Sequence, residues 1–239
     1  MTQKDLSFFI PFFNEEKHLQ STVEIILRAA KSSLNQFEII LVNDGSSDNS
    51  LKIAQKLIEE HGEQIRLISF EQNYGFGKAY FEGFFQSRYD HAMYLCADGD
   101  VTENELLTEL KYWNGQSSLI QHCTNSHERI YYRALLSKIY TKLVSIISGK
   151  SFEYFNGFNI VPTKNKKNIK PIDFGFSMQT YLLFKTVDFK NIQVFGMICR
   201  YNDEESKSIS VVNVIRTFRF ILFLIQWRMS ELGNINSIN

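Results

Sequence analysis

Phe37-Glu38-Ile39-Ile40-Leu41-Val42-Asn43-Asp44-Gly45-Ser46 is the stretch that decides the fold. Phe37 to Val42 is a short apolar run closed by a polar turn, the pattern of a buried strand. Leu51, Ala54, Leu57 and Ile58 follow at helical spacing. The unit is therefore strand, turn, helix, with carboxylates at the turn.

The same unit repeats outward in both directions. Upstream, Leu6 to Phe13 is an apolar run closed by Asn14, read as a helix cap, and Leu19, Val23, Ile26, Leu27 and Ala30 form a helical stripe. Downstream, Ile65 to Phe70 reads as a third strand, Gly77 to Arg88 as a third helix and Ala92 to Cys96 as a fourth strand. Strands alternating with helices predict an α/β fold, a Rossmann-like, mostly parallel central sheet flanked by helices. Ligands of such sheets bind beyond the carboxyl ends of the strands. Those ends carry Asn14 with Glu15, Asp44, and Asp98 with Asp100.

Beyond residue 100 the alternation weakens. Glu103–Lys111 and Ile130–Ser148 read as helices, the second with Leu135, Ile139, Leu143 and Ile146 on one stripe. Ser118–Cys123 and Ile192–Cys199 read as strands, Phe176–Lys185 and Val211–Leu232 as helices, and Lys164–Lys170 as a basic loop. No repeat or proline-rich linker divides the chain. The expected division is one domain over 1–210, with a regular half near 1–110 and a less regular half near 111–210, followed by a C-terminal helix in 211–239.

Composition narrows the function. The 239 residues carry 26 Lys and Arg against 26 Asp and Glu, so no global field draws the chain to nucleic acid. Cys96, Cys123 and Cys199 are odd in number, widely spaced and without a CxxC, which points to reduced thiols of a cytosolic protein rather than a zinc or disulfide framework. The first residues lack the apolar segment of a signal peptide. The longest apolar run, Phe220 to Ile225, falls short of the ~20 residues that cross a bilayer. A cytoplasmic location, or a peripheral one on the cytoplasmic membrane face, is expected.

Asp98-Gly99-Asp100 ends the fourth apolar run. Two carboxylates flanking a glycine can converge on one hard cation, which takes oxygen ligands from one or two carboxylates plus substrate phosphates. A polar turn would look the same, so the tripeptide gains weight only from its place. Asp44 can accept the N–H of a base, or simply belong to a good Asp-Gly turn. Asn73-Tyr74-Gly75-Phe76-Gly77-Lys78 opens a helix and would let a phosphate approach bare backbone; it is not a Walker loop.

Together these residues carry a family resemblance. Phe9-Ile10-Pro11-Phe12-Phe13-Asn14-Glu15, Leu41 to Ser46, Asn73 to Ala79 with Gly83, and Asp98-Gly99-Asp100 resemble, in order and spacing, the motifs of family 2 glycosyltransferases. The second half resembles the polyprenyl-phosphate branch, of which dolichol-phosphate mannose synthase is a member. The carriers are Arg133 to Gly149, Asn156-Gly157-Phe158, Gly175 to Gln179, and Arg200 with Ser206-Lys207.

The resemblance implies a GT-A fold, an inverting transfer from a UDP- or GDP-sugar, and Mg²⁺ or Mn²⁺. Pro11, Phe13, Glu15, Asp44 and Lys78 would line the nucleotide pocket. Asp98 and Asp100 would serve the diphosphate and metal, and Arg200 and Lys207 would meet phosphate. Arg133, Gln179 and Ser206 would face the acceptor. The chain departs from the pattern in Asn43 for an Asp, Phe13 for a Tyr and Glu153 near an expected Asp. Its Arg200–Ser206 interval is one residue longer and lacks the glycine.

A sugar hydroxyl as acceptor needs a general base. Relatives with such acceptors carry a carboxylate before the helix that here begins Phe176-Ser177-Met178-Gln179, and only Asp173 is near. A phosphate is already anionic, which favours a polyprenyl-phosphate acceptor. The aromatic and basic residues of 211–232 suit a peripheral membrane contact, and equally a core or dimer helix. A hydroxyl-acceptor enzyme of cell-surface polysaccharide synthesis and a catalytically silent nucleotide-sugar-binding module remain open alternatives. A nucleotidyltransferase is disfavoured, because Pro11 to Lys17 contains no glycine.

Overall fold

A computed structural model describes residues 3–124, 131–150, 157–172, 174–197 and 211–236. The first half is β1 (Asp5–Phe12), α1 (Leu19–Ser33), β2 (Gln36–Asn43), α2 (Ser50–His61), β3 (Ile65–Ser69), α3 (Phe76–Gln86), β4 (His91–Tyr94) and α4 (Glu103–Tyr112). The second is β5 (Ser118–Cys123), α5 (Tyr131–Ser148), β6 (Ile160–Pro162), α6 (Met178–Thr186), β7 (Ile192–Met197) and α7 (Val211–Asn236).

The seven strands form one sheet in the order β3-β2-β1-β4-β6-β5-β7. β3, β2, β1 and β4 run parallel, β6 is antiparallel to β4 and β5, and β7 is parallel to β5. Both faces of β1 and β2 are covered, which explains why these strands read as unbroken apolar runs. Leu6, Phe8, Ile10, Ile39 and Leu41 enter one core with α1, α2 and α4, whereas Phe9, Ile40 and Val42 enter the other with α3, α6 and α7. One residue along a strand changes core, as the pleat requires.

A buried ion pair braces the far ends of these strands. Glu38 Oε2 accepts from Arg66 Nε at 2.9 Å and Nη2 at 2.7 Å, while Oε1 accepts from Ser7 Oγ at 2.7 Å and Arg88 N at 2.6 Å. β1, β2, β3 and the segment after α3 thus share one carboxylate.

Several expectations are corrected. Asn14 does not cap α1, which starts later at Leu19 after a turn closed on the Glu15 carbonyl by His18 and Leu19 N–H. Asn14 instead adopts φ 59° and uses its Oδ1 to accept from Ser47 N at 2.8 Å. The Leu135, Ile139, Leu143 and Ile146 stripe of α5 faces outward, while Val144 is buried and Tyr140 and Ile147 pack inward. That helix is apolar on more than one side, so periodicity could not tell which side meets the core. Strand β6 was unread, because three residues are too few to show a period. The basic loop holds a 3-10 turn at Lys166–Asn168, and Lys166 Nζ donates to the Ser87 carbonyl.

Candidate active site

The parallel register brings the carboxyl ends of β1, β2 and β4 to one edge, with Phe12 opposite Asn43 and Phe9 opposite Tyr94. The loops leaving these ends carry Glu15, Asp44, Asp98 and Asp100.

Two loops are stitched into one rim. Asn14 N donates to Ser46 Oγ at 3.0 Å, Glu15 N to Ser50 Oγ at 2.7 Å, and Glu16 N to Asp48 Oδ2 at 3.1 Å. Asp48 Oδ1 also accepts from Ser50 N at 2.9 Å, at the start of α2. Gly45 lets the loop after β2 press on the one after β3: at φ +71°, a Cβ there would fall 2.3 Å from the Gln72 carbonyl carbon. Pro11 is buried behind this rim, whereas Glu15 is half-buried and the Phe13 ring is exposed beside it.

Asn43 explains its own departure from the motif. Its Nδ2 donates to Ser69 Oγ at 2.9 Å and its Oδ1 accepts from Ser46 N at 2.9 Å. The amide serves as donor and acceptor at once, tying β2 to β3 and closing the turn. Asp44 beside it is buried, and its two oxygens accept from Tyr74 N at 2.8 Å and Gly75 N at 2.9 Å. Burial pushes this carboxyl above its usual value, while the two backbone donors and the cations Lys78 and Arg216 pull against that shift. Lys78 Nζ lies 3.4 Å from the Tyr74 ring centroid, a cation–π contact on the same loop.

At the third loop, Asp98 Oδ1 accepts from Asp100 N at 3.3 Å and Oδ2 accepts from the Cys96 thiol at 2.9 Å. Burial first, and then the Asp98 charge, push the Cys96 thiol well above its usual value, so it remains a donor at neutral pH. His18 stands alongside: a Cβ on Gly99 would meet its Nδ1 at 3.1 Å. Among the described residues no group of three or more His, Cys, Asp or Glu could hold a metal by itself. Asp98 and Asp100 supply two carboxylates, a donor set that suits Mg²⁺ or Mn²⁺ only when phosphate oxygens complete the shell.

Two of the acceptor candidates lie on described helices. Arg133 lies in α5, and Gln179 lies in α6, buried with its Oε1 lacking a hydrogen-bond partner. Arg200, Ser206 and Lys207 lie outside the described residues, as do Glu153, Asn156 and Asp173. The sequence did not single out the support beneath Gly157–Asn159. Gln121 Oε1 accepts from Phe158 N at 2.6 Å, and its Nε2 donates to Glu109 Oε2 at 2.8 Å. Burial pushes the Glu109 carboxyl up to about 8. An acid among the apolar residues of α4 was the available signal. For Cys96 it was the i, i+2 spacing to Asp98; for Arg216 there was none.

Comparison with known proteins gives the family and the fold. The family model Glycosyl transferase family 2 matches residues 7–192. The undecaprenyl-phosphate 4-deoxy-4-formamido-L-arabinose transferase of Serratia proteamaculans is 29% identical over 148 residues, 62% of this chain and 45% of that protein. The human dolichyl-phosphate beta-glucosyltransferase is 32% identical over 151 residues, 56% of this chain and 47% of that protein. The match spans less than half the length of either relative. Among solved structures, glucosyl-3-phosphoglycerate synthase from Mycobacterium tuberculosis with Mn²⁺, UDP-glucose and phosphoglyceric acid superposes with TM-score 0.60 at 13% identity, covering 94% of this chain and 79% of that one. The fold is thus GT-A, and with a family match over most of its length the chain belongs to glycosyl transferase family 2.

Proposed function

We propose that the protein is a metal-dependent inverting glycosyltransferase that moves a sugar from a UDP- or GDP-sugar to a polyprenyl phosphate. The observation that carries this reading is the shared edge of Asp44, Asp98 and Asp100, at the ends of parallel strands where such sheets bind ligands. The two curated relatives, named for undecaprenyl and dolichyl phosphate, support the acceptor class.

In this reading Asp44 accepts an N–H of the base, and Pro11, Phe13 and Glu15 flank the nucleoside. Lys78 stands near the phosphates. Asp98 and Asp100 would hold Mg²⁺ or Mn²⁺, which would supply positive charge against that of the departing diphosphate. An acceptor phosphate oxygen attacks the anomeric carbon, and the bond from that carbon to the diphosphate breaks. Arg200, Lys207 and Ser206 take phosphate, with Arg133 and Gln179 on the acceptor side. No carboxylate stands among residues 174–179, where a hydroxyl acceptor would want a base.

Residues 211–232 provide a peripheral membrane contact. Among the described residues no helix is long and apolar enough to cross a membrane. Yet Val211, Val214, Ile215, Phe218 and Leu222 of α7 are exposed, beside the exposed Leu135, Leu136 and Ile139 of α5. Lys138 and Lys142 of α5 and Arg219 of α7 are exposed as well. Apolar and basic surface together suits an anionic lipid interface.

The test is a thermal-shift panel of UDP-, GDP- and CDP-sugars with and without Mn²⁺, followed by an acceptor screen. A nucleotide sugar should raise the midpoint in a Mn²⁺-dependent way, and a short polyprenyl phosphate should be glycosylated. Transfer only to a free glycan hydroxyl would overturn the acceptor. Absence of any nucleotide effect would overturn the enzyme.

A further inference from the structure

Helix α7 turns Phe220 and Leu224 into the core between α5 and α6. Residue 216 is one helical turn before Phe220, on the same stripe. That position holds an arginine where burial would favour an apolar side chain. Its neighbours Ile215 and Arg219 face outward, whereas Arg216 is half-buried.

The Arg216 side chain crosses two bare stretches of backbone. A Cβ on Gly175 would fall 3.0 Å from its Cδ, and a Cβ on Gly75 would fall 3.2 Å from its Nη1 and 3.5 Å from its Nη2. The stem therefore lies over the turn before α6, and the guanidinium over the glycine that opens α3. The Gly75 N–H donates to Asp44, so the guanidinium sits beside that carboxylate as well. Lys78, in the first turn of α3, acts on Asp44 as well. Asp44, its two oxygens already accepting backbone N–H, thus lies in the field of both Lys78 and Arg216. A planar guanidinium fork in such a place matches the oxygens of a phosphate.

We infer that Arg216 is a phosphate-binding residue of the cleft, delivered from the C-terminal helix and seated between Gly75 and Gly175. The inference deepens the proposed glycosyltransferase reading and rests on it for the ligand. The phosphate belongs either to the nucleoside diphosphate or to the lipid acceptor, and binding measurements on the full chain separate the two.

Titrations with Mn²⁺ would compare UDP and GDP with uridine and guanosine, and a second series would use farnesyl phosphate in detergent micelles. Arg216→Ala should weaken the nucleoside diphosphate, or farnesyl phosphate, by at least about tenfold, the scale of one charge-assisted hydrogen bond. Nucleoside affinity should stay unchanged. Arg216→Lys should recover part of the loss, and Lys56→Ala, on the exposed side of α2, should have no effect. Loss confined to UDP or GDP assigns the donor phosphate; loss confined to farnesyl phosphate assigns the acceptor. Unchanged affinity for both, or equal loss of nucleoside and diphosphate, would make Arg216 a packing residue and overturn the inference alone. A wild-type chain that binds no nucleotide would overturn the glycosyltransferase reading with it.

Discussion

The Cys96 thiol donates to Asp98 Oδ2 across 2.9 Å, so the first carboxylate of the proposed metal motif is aimed by the segment that follows β4. Groups that orient a metal ligand typically change metal affinity by about 10–100-fold when removed. Cys96→Ala is therefore expected to raise the Mn²⁺ concentration for half-maximal activity by about tenfold. Cys96→Ser, which keeps a donor, should stay near wild type. A Mn²⁺ titration of both variants checks this, and equal behaviour of the two would make the contact incidental.

Asp100 is expected to carry much of the electrostatic stabilisation of the leaving group. Asp100→Ala should lower turnover at least about 100-fold, the scale of one preorganised stabiliser. Its circular dichroism should be unchanged, because the side chain stands in a loop beyond β4. Near-normal turnover would remove the metal assignment.

Glu109 makes stability depend on pH. Its carboxyl is held at about 8 in the fold against an ordinary 4.5. Its contribution is fully present below about 4.5 and is lost as pH rises towards 8, because over that window only the unfolded chain ionises. The loss is on the order of 3 kcal/mol at pH 7. Glu109→Gln keeps a neutral acceptor for Gln121, so it should be more stable than wild type at pH 8 and flatten the profile. Urea melts from pH 4.5 to 8.5 would read the difference, and parallel profiles would refute it.

Glu38 is the opposite case, a buried carboxylate whose oxygens are all used. Glu38→Ala removes the carboxylate from Arg66, Ser7 and the Arg88 N–H, leaving Arg66 the Gln86 carbonyl and the Arg88 N–H the Ser7 hydroxyl, and is expected to cost about 3 kcal/mol or more. The urea midpoint should fall with little change in slope.

The exposed face of α7 yields a separate test. Phe218→Ser with Leu222→Ser alters side chains outside the core, so the melting temperature should hardly move. Sedimentation with anionic liposomes should fall several-fold, since each buried apolar side chain is worth roughly 1.5–3 kcal/mol. Cosedimentation equal to wild type would leave α7 without a lipid role.

The first four strands were legible because each is a short apolar run that ends in a polar turn, two local signals; β1, β2 and β4 are largely buried, and the edge strand β3 is partly so. Asp44, Asp98 and Asp100 were legible for the same reason, since a strand end is a local feature. The outward stripe of α5 was not, because a helix apolar on more than one side carries no mark of which side the core takes. Asn14 was misassigned because a residue after a strand can cap a helix or hold a loop. Only the presence of Ser47 beside it selects the loop.

By itself, the sequence determined that four strand–turn units in order would place carboxylates beyond one sheet edge, since parallel pairing brings like ends together. Only the tertiary structure decided what meets them there. Arg216 lies over Gly75, and Glu109 props Gln121 beneath Phe158. These contacts depend on how α7 and α4 pack on the sheet, and that packing depends on shape complementarity between residues far apart in the chain.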